Sequence, residues 1–292
     1  MPDNKTNNSL QGLFFILLSC FFYAVLNSIL KYLWGTIPSF VLIFYRSLIE
    51  TLILLPFILY DRSDIKRLLG GKRPFFINTV RGSLSFVGQF FWVTAIGFLP
   101  ITECVALSFT TPLFVTLFAV FLLRERMLPV KWIALIIGFL GALVICSPTQ
   151  AALDFNVIFV LLASVFWALS AIVVKTLVMR YRPITVVFFT AVVKVCLSFP
   201  AWVKAHHSIT CEQFFLLLGA GATGVLAHLF AAAAYKKADL SFLVSFDFMR
   251  LVFTAIIAFS LFGERLSIKT AIGAILILSA TSLMVYLRQH KR

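Results

Sequence analysis

Ten apolar stretches follow one another along the chain, near residues 10–32, 38–60, 75–97, 101–123, 129–147, 155–178, 183–203, 213–235, 239–262 and 267–287. Most are close to the roughly 20 residues that a helix needs to cross the hydrocarbon core of a bilayer. Glycine and proline mark the breaks: Gly35 to Pro38, Gly70-Gly71 to Pro74, Gly97 to Pro100, then Pro129, Pro148 and Pro183. Lipid cannot satisfy open backbone groups, so the pattern predicts helices throughout. The expected fold class is all-α integral membrane, with ten transmembrane helices. A polar head, residues 1–9, precedes them, and a short tail, 288–292, follows. The first stretch is too long for a signal-peptide core and lacks a clear cleavage site, so it is read as a retained span.

Composition agrees with this reading. Of 292 residues, 61% are hydrophobic and 12% charged, and the mean hydropathy is +1.03. A soluble domain carries about 25% charged residues. Ten spans with short connections leave no room for a folded aqueous domain.

The net charge of +14 gains meaning from its positions. With the N-terminus inside, the inner segments hold sixteen Lys and Arg, including the run from Arg62 to Arg73. The outer loops hold four: Lys31, Lys204, Arg265 and Lys269. Arg46, Arg81, Lys175, Lys194 and Arg250 lie within spans. This bias puts both termini in the cytoplasm and the chain in the cell (inner) membrane. The basic inner loop is topological charge drawn to anionic lipid, and no nucleic-acid partner is expected. The five cysteines, Cys20, Cys104, Cys146, Cys196 and Cys211, show no CxxC spacing and four lie in apolar runs. They read as small buried residues, with no disulfide framework, metal site or cofactor expected.

The chain also repeats itself. Phe22-Tyr23-Ala24 followed by Lys31 matches Phe166-Trp167-Ala168 followed by Lys175 at an offset of 144, and Leu55-Pro56 matches Phe199-Pro200 at the same offset. Glu125-Arg126 matches Glu264-Arg265 at an offset of 139. The expected units are residues 10–147 and 148–287, each with five spans. An odd number of spans turns the second unit upside down relative to the first. Inverted repeats of this kind belong to carriers that alternate access around a midplane site.

Ionisable groups within spans are costly, about 2.5–3.5 kcal/mol each on insertion scales, and need partners or a task. Arg46 and Glu50 are four apart and can pair on one helix face, leaving open a structural pair or a substrate role for Arg46. Arg81, Ser85, Gln89 and Trp92 form a polar stripe along span three that suits a cavity wall, although Arg81 near the inner end can instead snorkel. Tyr23 and Asn27 lie on a drifting stripe of span one, and Trp167 is the counterpart of Tyr23 in span six. Inverted halves would bring Tyr23 and Trp167 to corresponding positions, with Phe90, Trp92 and Phe109 nearby, as an aromatic box for a flat ring or a cation. Lys31 and Lys175 read as snorkelling lysines. Asp247 and Arg250 are three apart in span nine, and serve equally well as a clamp on a zwitterionic head group or as an intrahelix pair. Pro112 kinks span four where span nine has Leu251. His228 reads as a packing histidine before a proton-coupling one. Glu125 and Glu264 read as structural, at the N-terminal sides of spans five and ten, where a carboxylate satisfies free N–H groups. Gly82, Gly88, Gly138, Gly141, Gly219, Gly221 and Gly224 offer small faces for close helix approach.

A membrane enzyme would want paired carboxylates, a nucleophile with its base, or metal ligands on one face. The sequence has no HExxH, no GxSxG and no P-loop, so neither an enzyme nor an ATPase is expected. The expected partners are a small-molecule substrate and the lipid bilayer. Monomer and homodimer both stay open.

The chain resembles the EamA-type drug/metabolite transporters. The resemblance rests on Phe44-Tyr45-Arg46, Arg81-Gly82, Leu99-Pro100 with Thr102, Ser108-Phe109-Thr110-Thr111-Pro112, Arg124-Glu125-Arg126 and Phe262-Gly263-Glu264-Arg265. It covers nearly the whole chain and implies a ten-helix fold of two five-helix repeats. The branch that it looks most like, also through Phe246-Asp247-Phe248-Met249-Arg250-Leu251, includes bacterial importers of S-adenosylmethionine and of riboflavin. The resemblance thus implies a secondary carrier, with uptake of S-adenosylmethionine in exchange for S-adenosylhomocysteine ahead of riboflavin uptake or of amino-acid or drug export. The residues expected to meet substrate are Tyr23, Asn27, Arg46, Arg81, Gln89, Trp92, Phe109, Trp167, Asp247 and Arg250.

Overall fold

The computed structural model describes residues 3–123, 129–146, 155–177, 181–205, 208–237, 246 and 249–289. These residues form helices, and no strand occurs among them. In chain order the helices are α1 (Asp3–Leu33), α2 (Ser39–Tyr60), α3 (Ser63–Leu69), α4 (Lys72–Phe98), α5 (Ile101–Ser108) and α6 (Thr111–Leu123). They continue with α7 (Pro129–Cys146), α8 (Val157–Leu177), α9 (Pro183–Ala205), α10 (Cys211–Lys237), α11 (Met249–Phe262) and α12 (Ile268–Gln289). Four segments among the described residues are by themselves long and apolar enough to cross a membrane: Leu10–Leu33, Ser39–Tyr60, Ile184–Ala205 and Cys211–Ala231. Glu125 and Asp247 lie outside the described residues.

The structure departs from the sequence pattern in two places. The stretch 101–123 is two helices, not one kinked helix. At the break the backbone tightens to i→i−3 bonds, Phe109 N–H to Ala106 O at 3.2 Å and Thr110 N–H to Leu107 O at 3.0 Å, and the Thr110 and Thr111 hydroxyls donate to Leu107 O and Ser108 O, each at 2.7 Å. Pro112 then falls in the first turn of α6, where a missing N–H breaks no helical bond. The second departure is α3, formed within the basic segment after α2. The carboxylate of Asp61 accepts from the Ser63 N–H and hydroxyl at its start, and Leu68 is buried beneath it.

Helices from the first part of the chain pack on helices from the second. α1 lies against α10 and α11, α4 against α8 and α9, α2 against α9 and α10, and α7 against α12. Glycine sets several of these approaches. A Cβ on Gly82 would lie 2.7 Å from Val193, one on Gly88 2.7 Å from Trp167, and one on Gly221 2.3 Å from Ile49. On Gly141 it would lie 2.8 Å from the Gly273 carbonyl oxygen, where α7 meets α12. The small-residue faces are therefore contact surfaces, as the glycine spacing suggests.

One end of the bundle is fastened by a part-buried polar cluster. Lys31 Nζ donates to Glu264 Oε1 and, at 2.9 Å, to Leu99 O, while Glu264 Oε2 accepts the Ile101 N–H at 2.9 Å. Gly263, at φ +66°, ends α11 and turns the chain so that Glu264 reaches this point. Lys31 is thus an ion-pair partner, not a snorkelling lysine, because a carboxylate and a helix-end carbonyl lie within its reach. Glu264 does serve a helix N-terminus, but that of α5 instead of the following α12. At the opposite end Arg182 pairs with Asp61 at 2.8 Å and with Asp64 at 3.1 Å. Hydrogen bonds from the Ser63 hydroxyl and N–H hold the Asp61 carboxyl below its usual value, helped by Arg182.

Candidate functional site

Between α1, α2, α4, α5, α8, α9, α10 and α11 lies a cavity of about 540 Å³, inside the range of roughly 300–1,000 Å³ common for small-molecule sites. Of the ten residues expected to meet substrate, Tyr23, Asn27, Arg46, Arg81, Gln89, Trp92, Trp167 and Arg250 line it. Glu50, expected to be structural, lines it as well. Phe109 stands just behind, with the Arg250 guanidinium 5.0 Å from its ring.

Helix periodicity explains why α1 supplies one wall. Ser19, Tyr23 and Asn27 recur every four residues and all line the cavity. Tyr23 Oη and His228 Nδ1 share a hydrogen bond of 2.9 Å, with the rings edge to face. Asn27 Oδ1 accepts from Trp92 Nε1 at 3.1 Å, which fixes the indole. Trp92 packs at 5.3 Å from Trp167, their planes tilted by 44°. The aromatic pair of the cavity is therefore Trp92 with Trp167. Tyr23 is engaged by His228 instead of facing Trp167. Phe90 is not in the cavity: it stacks on Phe40 at 4.6 Å.

The α2 wall holds the Arg46–Glu50 pair at 2.7 Å, buried and made along one helix face. Gly224 of α10 lies against it, since a Cβ there would be 2.7 Å from Glu50 Oε1. The α4 and α9 wall is different. Arg81 Nη1 donates to Val186 O at 2.9 Å and to the Thr190 hydroxyl. Arg81 does not snorkel, because the close approach of α4 and α9 offers it acceptors within the bundle. Lys194 Nζ donates to Gln89 Oε1 at 2.7 Å. Gln89 Nε2 and Arg81 Nε have no hydrogen-bond partner among the described residues. On α11, Arg250 Nη2 donates to the Ser108 hydroxyl at 3.3 Å, and its guanidinium lies 6.0 Å from the Tyr23 ring.

Sequence reasoning gave Lys194, Thr190 and Ser108 no role in the cavity, and treated His228 as packing. The signal for Lys194 was present. It is a lysine in the middle of an apolar run, 144 residues after Glu50, at the offset that relates the two halves. Thr190 and Ser108 carry no such mark, because hydroxyl residues are common in apolar helices.

The described lining groups thus include four cationic side chains, Arg46, Arg81, Lys194 and Arg250, and one carboxylate, Glu50. Such a cavity can stack a flat ring on indole, satisfy hydroxyls, and attract an anionic group.

The model of the EamA-like transporter family matches the chain twice, over residues 10–147 and 154–286. An S-adenosylmethionine uptake transporter of Rickettsia conorii is 31% identical over 279 residues, covering 95% of this chain and 93% of that protein. A riboflavin transporter of Brucella anthropi is 29% identical over 272 residues, covering 90% of this chain and 94% of that protein. A solved crystal structure shares the fold, with a TM-score of 0.65 at 18% identity over 98% of this chain and 99% of its own. With the family model matched twice along the chain and a cavity of small-molecule size enclosed by its helices, the chain belongs to the EamA-like transporter family, multi-pass membrane proteins that move small molecules.

Proposed function

We propose that the chain is a secondary carrier for S-adenosylmethionine uptake, working in exchange for S-adenosylhomocysteine. The carrying observation is the Trp92–Trp167 wall at 5.3 Å in a polar cavity of about 540 Å³. The S-adenosylmethionine uptake transporters that match along nearly the whole chain support the choice of cargo. Adenine stacks on indole, and a sulfonium is attracted by aromatic faces and by a carboxylate such as Glu50 or Asp247.

The mechanism is alternating access between two inverted five-helix halves, residues 10–147 and 148–287, in ten spans with both termini cytoplasmic in the inner membrane. Support comes from the doubled family match and from the way α1, α2 and α4 pack on α10, α9 and α8. On this topology the Lys31–Glu264 cluster closes the outer end, and the cavity is reached from the inner side. Rocking the halves opens the outer cluster and carries the site across.

The test is uptake of radiolabelled S-adenosylmethionine into bacterial cells expressing the chain. Uptake above the empty vector is expected, suppressed by unlabelled S-adenosylhomocysteine and reduced by Asp247→Asn. No uptake by a chain shown to reach the membrane overturns the reading. A second reading, riboflavin uptake, is favoured by the same indole wall, which also suits an isoalloxazine ring, and by the riboflavin transporters among the relatives. Labelled riboflavin in the same cells decides between the two.

A further inference from the structure

We infer that the α4–α9 wall is an anion-reading subsite, in which Lys194, Gln89 and Arg81 receive the substrate's carboxylate. The inference rests on the transporter reading and adds the chemical class of one substrate group.

Donors outnumber acceptors on this wall. Lys194 Nζ has three N–H groups and, among the described residues, donates one hydrogen bond, to Gln89 Oε1 at 2.7 Å. Because that oxygen faces an ammonium, the other end of the Gln89 side chain must be its NH₂ group, and Nε2 has no partner among the described residues. Arg81 spends Nη1 on Val186 O and the Thr190 hydroxyl, while its Nε is likewise left without a partner. Lys194 is 8% exposed and Gln89 3%. Neither Lys194 nor Arg81 has a carboxylate within ion-pair distance among the described residues, where the ion pairs are Lys31–Glu264, Arg46–Glu50 and Arg182 with Asp61 and Asp64. Buried donors of three side chains thus line one cavity wall with too few acceptors, and an anionic oxygen is the group that satisfies them.

Two neighbouring cations are less suited to the task. Arg46 is held by Glu50 at 2.7 Å. Arg250 is laid over Phe109 and donates to Ser108. The zwitterionic clamp expected of Asp247 and Arg250 is therefore divided: the carboxylate goes to α4 and α9, and the aromatic part of the substrate lies towards Trp92.

The test compares ligands that differ by the anionic group. Cells expressing the full chain take up labelled S-adenosylmethionine in the presence of unlabelled S-adenosylhomocysteine or its decarboxylated counterpart. The decarboxylated compound is expected to compete about tenfold or more weakly, the scale of a charge-assisted hydrogen bond lost. In Lys194→Gln the gap shrinks to about twofold or less, and Lys194→Arg restores it, at membrane levels matched by immunoblot. A gap that persists in Lys194→Gln, or no gap in the wild type, overturns the inference.

If the wild type takes up no S-adenosylmethionine, the cargo reading fails and the subsite is judged separately. The purified chain is then heated with three pairs: riboflavin 5′-phosphate and riboflavin, tryptophan and tryptamine, S-adenosylhomocysteine and its decarboxylated counterpart. Greater stabilisation by an anionic member, lost in Lys194→Gln, upholds the subsite. No pair separating overturns it.

Discussion

Glu50 and Lys194 stand at matching places in two helices. Each is eleven residues past the first residue of its helix, α2 at Ser39 and α9 at Pro183, and each precedes an internal proline by six, Pro56 and Pro200. Each is passed closely by a glycine of a third helix. Gly224 of α10 lies against Glu50 itself, and Gly82 of α4 lies against Val193, next to Lys194. The side chains one turn earlier differ. α2 has Arg46, which neutralises Glu50 within its own helix, whereas α9 has Thr190, which is neutral and accepts from Arg81. One wall of the cavity is thereby closed on itself, and the other is left cationic and rich in donors. Similar backbones present opposite chemistry to one cavity, which a carrier needs if its solute is asymmetric.

The largest expected effect breaks the closed wall. Glu50→Gln leaves Arg46 buried without its carboxylate, and removing one partner of a buried pair costs about 3–5 kcal/mol. We expect a strong fall in the melting temperature of the purified protein and loss of uptake. Lys194→Gln, by contrast, keeps a hydrogen bond to Gln89 and should melt near the wild type. Equal losses in the two variants would remove the distinction between the walls.

A middle effect sharpens the comparison through the glycines. In Gly82→Ala the new methyl meets Val193 Cβ and Cγ1 at 2.7 Å. A β-branched side chain on a helix cannot turn away, so overpacking of about 1–3 kcal/mol is expected. In Gly224→Ala the nearest atom is the end of the Glu50 side chain, which can shift. Gly82→Ala should therefore lower the melting temperature more than Gly224→Ala, with the reverse order counting against this packing.

The smallest effects lie at the two ends. Lys31→Met removes a largely buried fastening among α1, α5 and the α11–α12 link, and should change uptake by about fivefold, near the lower end of coupling energies. Asp61→Asn touches only an exposed cluster and should leave uptake near wild type at neutral pH. Its sign with pH follows from the lowered carboxyl value. Any stabilisation by Asp61 is present above the unfolded value of about 3.9 and fades as pH falls through the lower folded value. The wild type and Asp61→Asn should then converge in acid, as melting curves across that range would check.

Much of this molecule was legible along the chain because burial in lipid leaves a strong one-dimensional signal. The apolar stretches fall on helices where they are described, apart from the division at Phe109 and Thr110 and a few residues at or near their ends, among them Pro38, Phe155, Asn156 and Phe246. That break leaves no mark in the apolar pattern, because tightened backbone bonds and threonine hydroxyls make it without a polar insertion. Stripes such as Ser19, Tyr23 and Asn27 were readable from their spacing alone. Partners were not: Tyr23 with His228, Trp92 with Asn27, Lys31 with Glu264 and Lys194 with Gln89 are separated by 205, 65, 233 and 105 positions.

Hydrophobic periodicity, the offset of 144 and the family motifs, then, are properties of single helices and of their order, and the sequence by itself determined them. Which cation stays unneutralised depends on how helices distant in sequence approach one another. The i,i+4 spacing already offers Arg46 to Glu50, whereas the tertiary structure alone decided that Lys194 meets Gln89 and Arg81 meets Val186 and Thr190, with donors to spare. The physical reason is that a hydrogen bond is made within about 3 Å, and between side chains of different helices that distance is set by the packing of glycine-lined helices and not by any spacing along the chain.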